Sequence, residues 1–242
     1  MTDKMRIFNS IKKFSWGNAL VELVLITIGI LMAIQIDNWK DDHQEKQLEQ
    51  KLLKELKTSL EQDLDFLSEV IIPRVQTAIV SSEALLKHIY FKYGSNDSVQ
   101  INLNKLAFGI EFEPRTSAFE NLKTTGINLI SNDDLRLKIV ELYDFEYQRT
   151  LRIIENIINN YRQAHLIPYL INELEYRISV DSYGEIQTVL FVSEDTLYEQ
   201  KFVNFVSSRY NNFMESYRWL TGIEKQISSL IEELEKEIDG TN

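Results

Sequence analysis

Apolar residues follow three different patterns along the chain. From Ala19 to Ile36 (ALVELVLITIGILMAIQI) they run almost unbroken. With Trp16 included the run is about 20 residues, the length a helix needs to cross a hydrocarbon core of about 30 Å. Trp16 and Trp39 bracket it, as indole rings do at the two membrane interfaces. A cleaved signal peptide has a shorter apolar region and a small-residue cleavage site, and Ala33-Ile34-Gln35-Ile36-Asp37 offers none. The pattern predicts a transmembrane helix over 16–36.

Beyond Trp39 the apolar residues recur at helical spacing. Leu53, Leu56, Leu60, Leu67 and Val70 make a stripe broken by Asp63, so the span is expected to continue as one long helix that Pro73 ends or kinks. A second helix is expected from about Val75 to Tyr90. The turn cluster Tyr93–Ser98 follows, then a short helix over Asn102–Gly109. Pro114 suits a first helical position and Gly126 a helix end. Ser131 reads as the N-cap of a helix through Leu142, Phe145, Leu151, Ile154 and Ile158, interrupted near Pro168 and resuming to about Ile178. A final helix starts near Ser193 or Glu194 and runs to about Ile238, with the stripe Phe202, Val206, Phe213, Tyr217, Leu220, Ile223, Ile227, Leu230 and Leu234. The third pattern is β-like and confined to 179–193, a short hairpin or a loop between helices. With only 8 Gly and 3 Pro in 242 residues, the expected fold class is all-α: a transmembrane helix continuing into a long-helix bundle, in which the first and last helices lie together.

Charge divides the chain. The formal net charge is -11. Residues 1–16 hold Lys4, Arg6, Lys12 and Lys13 against Asp3, and Glu22 is the one charge in the span, so 37–242 carries the whole acidic excess. A domain this acidic repels nucleic-acid phosphates, and no nucleic acid is expected as a partner. The positive-inside rule puts 1–15 in the cytoplasm, where Ile7, Phe8, Ile11 and Phe14, alternating with Arg6, Ser10 and Lys13, form a basic amphipathic segment on the inner surface. Residues 37–242 then form an acidic helical domain on the other side, periplasmic if the cell is a Gram-negative bacterium and the membrane its inner one. Cysteine is absent, which excludes disulfides and thiolate metal sites.

One face of the span is distinctive. Asn18, Glu22, Ile26, Gly29 and Ala33 fall within an arc of about 80° at 100° per residue. Small residues let two helices approach, and polar groups bond across the contact. This face is a candidate interface with a second copy or a membrane-protein partner. The other reading has Glu22 reaching the headgroups alone.

Two stretches resemble a known family. They are Val21–Trp39 (VELVLITIGILMAIQIDNW) and Ser117–Arg136 (SAFENLKTTGINLISNDDLR). Together they are similar to an uncharacterised family of single-pass, N-terminally anchored helical membrane proteins common in Bacteroidota, a domain of unknown function. That family's usual Gly-Glu pair inside the span is Val21-Glu22 here. The resemblance implies an anchored helical protein of a Gram-negative envelope and brings no activity with it.

Candidate chemistry is sparse. His43, His88 and His165 lie far apart in sequence, with no metal-ligand spacing among them. There is no phosphate-binding glycine loop and no nucleophile elbow. The acidic pairs Asp133/Asp134, Glu173/Glu175 and Glu232/Glu233 read as solvated faces. No catalytic residue, metal or cofactor is expected. Arg115, Glu120, Asn121 and Lys123 either line a cleft for a small ligand or partner, or brace the turn between two helices. The expected function is that of a non-enzymatic interaction protein, an envelope scaffold or subunit of a membrane complex, oligomerising through span and bundle. An extracytoplasmic sensor relaying through the span to a partner, and an oligomeric effector of membrane permeability, are the alternatives.

Overall fold

The structure, a computed structural model, describes residues 16–180 and 184–240. The basic segment 1–15 lies outside the described residues, as do the side chains of 16–19, Asn18 among them. Two compact units divide the chain between Lys51 and Leu52. Helix α1 (Trp16–Phe66) contributes to both.

In the first unit α1 is exposed on every side from Leu20 to Leu48. From Leu20 to Ile36 its large apolar side chains are all exposed, Leu25 and Ile36 at 64%. Backbone groups are satisfied within the helix, and the hydroxyl of Thr27 donates to the Leu23 carbonyl at 2.8 Å. Trp39 stacks on His43 one turn later.

The second unit is a four-element bundle, alternating in direction. The first element is the end of α1 with α2 (Ile72–Phe91). Pro73 does not end this rod. A π-helical turn, Leu67–Ile71, precedes it, and the Ile72 N–H donates five residues back to the Leu67 carbonyl. The wider turn moves aside the i−4 carbonyl that the proline ring would strike, and proline has no N–H to lose. The same device recurs at Pro168, where the π turn Arg162–Leu166 leads into α7 (Ile167–Glu173) with no interruption. Leu53, Leu56, Leu60 and Leu67 are fully buried as their spacing predicts, while Val70 is 48% exposed because the π turn rotates it out of the stripe.

The second element returns along the first, and it is not one helix. The helix α2 ends with Lys92 in the left-handed region (φ 55°). Helix α3 then runs Asn96–Asn104, six residues earlier than its pattern indicated, because the Ser95 hydroxyl accepts from the Ser98 N–H and starts it there. An irregular segment from Lys105 to Thr116 leads to α4 (Ser117–Thr125). Pro114 is therefore in extended chain and not at a first helical position. Gly126, with φ 131°, closes α4 as expected.

The third element contains α5 (Asp133–Val140), α6 (Tyr147–Ile154) and α7, joined by further π turns at Glu141–Glu146 and Glu155–Asn160. Its N-cap is Asn132, whose side chain accepts from the Leu135 N–H, one residue past Ser131. The element stops at Glu173 rather than continuing to Ile178. Leu174 turns extended (φ -118°, ψ 156°), and the β-branched run that follows pairs as a hairpin. Strand β1 (Glu175–Val180) is antiparallel to β2 (Ile186–Phe191), with Ile178 opposite Thr188.

The fourth element is α9 (Gln200–Gly240), preceded by the single turn α8 (Glu194–Leu197), so the last helix comes in two pieces. It runs back along the first and third elements. Lys57 meets Glu235 at 2.8 Å and Gln76 meets Tyr217 at 3.0 Å, while Lys138 meets Glu233 at 2.7 Å and Lys201 meets Glu173 at 3.2 Å. The first and last helical rods thus pack together along their length. Phe202, Val206, Phe213, Leu220, Ile227 and Leu234 of α9 are the buried seam.

Candidate functional site

The irregular segment of the second element explains itself residue by residue. From Gly109 to Arg115 the chain reads GIEFEPR. Ile110, Phe112 and Pro114 are buried, while Glu111, Glu113 and Arg115 are exposed. A two-residue period is that of extended chain. A single extended strap in a helical bundle has no neighbouring strand to take its backbone hydrogen bonds, and buried amide groups left unpaired are costly.

Two buried charges meet that need, one at each end of the strap. Asp63 of α1 is fully buried. Its carboxylate accepts from the Arg115 N–H at 3.1 and 3.2 Å, from Arg115 Nη1 at 3.0 Å and from the Tyr147 hydroxyl at 2.9 Å. Arg209 of α9 is also fully buried. It donates Nε and Nη2 to the Leu106 carbonyl at 3.1 and 2.9 Å, and Nη2 to the Phe108 carbonyl at 2.9 Å. An anion holds the N–H end and a cation holds the C=O end. Aromatic stacks surround both. Phe119 stacks on Tyr143, which meets Tyr147 edge-on. Phe108 stacks on Phe213, with the guanidiniums of Arg74 and Arg209 over the Phe108 and Phe213 rings at 4.2 Å each.

Burial shapes the titration of these groups. Desolvation, then the Asp63 charge, push the Tyr143 and Tyr147 hydroxyls far above the ordinary phenol value. Desolvation lowers Arg209 to about 10, with the nearby Arg162 charge adding to the effect.

Open grooves flank the strap. One of about 820 Å³ lies between the strap and the third element, bordered by Phe66, Arg115, Gln148, Arg152 and Glu155. Another, of about 390 Å³, lies toward the first element, bordered by Val70, Arg74, Phe108 and Arg162. Gly109 sits between them, where a Cβ would come within 3.3 Å of Asn159 and 3.5 Å of Arg162. Three of the π turns contribute to these walls, through Val70, Glu155 and Arg162. The walls mix both charge signs with apolar patches, which suits docking of a side chain or peptide. Among the described residues, no group of three or more His, Asp or Glu is placed to hold a metal ion.

The four residues singled out around the α4 turn do not share a cleft. Arg115 belongs to the Asp63 brace and the larger groove. Asn121 donates to Glu55 of α1 at 3.3 Å and borders a separate, shallower depression. Lys123 lies 3.8 Å from Glu120 and 3.6 Å from Asp144 of the third element. Arg115, Asn121 and Lys123 each reach another element, whereas Glu120 meets Lys123 within α4 itself. Of the span face, Glu22, Ile26, Gly29 and Ala33 are exposed on α1, and a Cβ at Gly29 would meet nothing within 4 Å. Sequence reasoning passed over Asp63 as a break in a stripe and did not single out Arg209. The signals were present: a lone charge at a core position in each of two apolar seams, and the alternation of 109–115.

A model of a family of unknown function, DUF6090, matches residues 22–212. The chain belongs to that family. The DUF6090 region takes in both braces, the strap, both flanking grooves and the hairpin, and ends inside α9. No curated protein and no solved structure matches this chain.

Proposed function

We propose that this DUF6090 protein is a single-pass membrane protein whose helical domain is a non-enzymatic interaction module, an envelope scaffold or subunit of a membrane complex that self-associates. The observation that carries the reading is the apolar start of α1, an 18-residue stretch of mean hydropathy 2.1 with none of its residues buried. A core helix of a soluble protein buries at least one face; a helix that is apolar all round and exposed all round needs lipid. The internal satisfaction of Thr27 accords with that solvent.

The domain supports the interaction reading by how its buried charges are used. Asp63 and Arg209 bind backbone groups at the two ends of the irregular segment, and Asp63 also holds the Arg115 guanidinium and the Tyr147 hydroxyl, so both brace the fold. The basic flank before the helix favours a cytoplasmic N-terminus, which puts 37–242 in the periplasm of a Gram-negative cell. Glu22, Gly29 and Ala33 supply the contact face within the membrane.

The test is sidedness and size. The chain has no cysteine, and Ser229 is exposed on α9. In Ser229→Cys, labelling by an impermeant maleimide once the outer membrane alone is opened is the expected result. Labelling only after inner-membrane lysis reverses the orientation. A complex larger than one chain in mild detergent is expected, and a clean monomer removes the self-association reading.

A further inference from the structure

We infer that the free edge of strand β1 is a docking site for a second copy of this chain, the two β1 strands pairing antiparallel into a four-stranded sheet. The inference deepens the self-association reading above by naming the surface, and it rests on that reading.

The two edges of the hairpin are treated differently. Along β2 the side-chain amides of α3 substitute for a strand. Asn104 donates to the Leu190 carbonyl at 2.9 Å and accepts from the Leu190 N–H at 2.7 Å. Gln100 does the same for Val192, at 2.9 and 3.1 Å. Both backbone groups of Leu190 therefore point away from β1. Its register partner Tyr176 must then sit in a non-hydrogen-bonded pair, and so must Ile178 and Val180 by alternation. Their N–H and C=O groups point outward along β1. Among the described residues the sheet has two strands, so nothing in it covers this edge.

The side chains at the same positions are apolar and exposed: Tyr176 at 54%, Ile178 at 74% and Val180 at 61%, joined by Ile186 of β2 at 74%. An apolar strand with an open hydrogen-bonding edge is a template for another strand. Charge selects the occupant. The chain as a whole carries -11, so two copies repel wherever their acidic faces meet. The charges of β1 are Glu175 and Arg177, paired with each other at 2.8 Å, and β2 has none. This neutral strip is where two copies can approach. The edge is also self-complementary. A two-fold axis at Ile178 sets Ile178 against its own copy and Tyr176 against Val180, all on the apolar face. The strip is smaller than a standard interface, so the pairing is weak for free chains and favoured for chains held in one membrane.

The experiment uses the full chain in its membrane. In the paired sheet the two copies of residue 178 are about 5.5 Å apart between Cα atoms, within disulfide reach. Residue 188 lies one strand further out on each copy, leaving roughly 14 Å between them. Mild oxidation of Ile178→Cys is expected to give a covalent dimer and that of Thr188→Cys none. Ile178→Arg is expected to weaken association of the full chain in its membrane at least tenfold with an unchanged melting temperature, since the side chain is exposed. Equal cross-linking at both sites is random collision and overturns the proposal. So does a thiol in Ile178→Cys that does not cross-link yet is shielded from a water-soluble maleimide in vesicles, which assigns the apolar face to lipid. If the Ile178→Cys chain does not cross-link while it stays oligomeric in detergent, self-association stands and β1 is not its surface. If it does not cross-link and is monomeric, both readings fall.

Discussion

The Asp63 brace makes the sharpest prediction about the fold. Truncation in Asp63→Ala removes the acceptor of three donors at once, the Arg115 N–H, Arg115 Nη1 and the Tyr147 hydroxyl. The Arg115 guanidinium is 47% exposed, so its share is discounted to about 0.5 kcal/mol for solvent screening. The Tyr147 hydroxyl and the Arg115 N–H are different, because each loses a fully buried acceptor, the first in a buried setting and the second in a part-buried one. Such bonds are worth about 1.5–3 kcal/mol each, and stranding a buried partner brings the total to about 3–5 kcal/mol. For a unit of this size that is a fall in Tm of roughly 6–20 °C. The assay is thermal or urea unfolding of the full chain in non-ionic detergent, followed by far-ultraviolet circular dichroism. Asp63→Asn keeps the volume and can still accept from Arg115 N–H while donating to Tyr147, so about half the loss is expected. Tyr147→Phe alone is expected to cost about 1–2 kcal/mol and, combined with Asp63→Ala, to add less than its own cost. A loss below about 1 kcal/mol for Asp63→Ala, or strict additivity of the pair, refutes the brace.

Three further outcomes follow from the same structure. Arg209→Met keeps the apolar stem but strands the Leu106 and Phe108 carbonyls, and it is expected to cost about 2–4 kcal/mol, with Arg209→Lys in between, in the same unfolding assay. Gly126→Ala is expected to destabilise by about 1–2 kcal/mol because φ is 131° there, whereas Gly222→Ala, exposed within α9 with nothing within 4 Å, is expected to stabilise by about 0.5–1 kcal/mol. Tyr143 and Tyr147 have folded pKa values raised above the unfolded value of 10.0, so their contribution is complete below pH 10 and is lost above it, at about 1.4 kcal/mol per pH unit each. Arg209, lowered to about 10, has the opposite slope from there upward. The check is therefore a difference: between pH 9.5 and 11 the urea midpoint of the Tyr143→Phe/Tyr147→Phe variant should fall less steeply than that of the parent, and equal slopes contradict the burial argument.

Apolar runs and spacing were enough to place the apolar helix over Ala19–Ile36, the buried face of the rod from Leu53 to Leu67 and the long seam of α9, while the β-like stretch 179–193 took in β2 but missed the start of β1, where a helix to about Ile178 was expected. Each is a local property: the apolar spacing matches the period of the element, with one face buried in the rod and in α9 and none buried in the apolar helix. Local rules failed where a distant residue decided the conformation. Pro73 and Pro168 break helices by the local rule, yet both continue because a π turn before each removes the clash, and what holds the rods on course is their packing along α9. Pro114 looked like a helix start, but the Arg115 N–H is held in extended chain by Asp63, 52 residues earlier. Which groups stand on either side of the strap is likewise tertiary, since Asp63 comes from α1 and Arg209 from α9. The sequence determined the apolar helix and the buried faces of the first rod and α9; only folding decided that two core charges would serve one strap, because hydrogen-bond partners for an isolated extended segment must come from elsewhere in the chain.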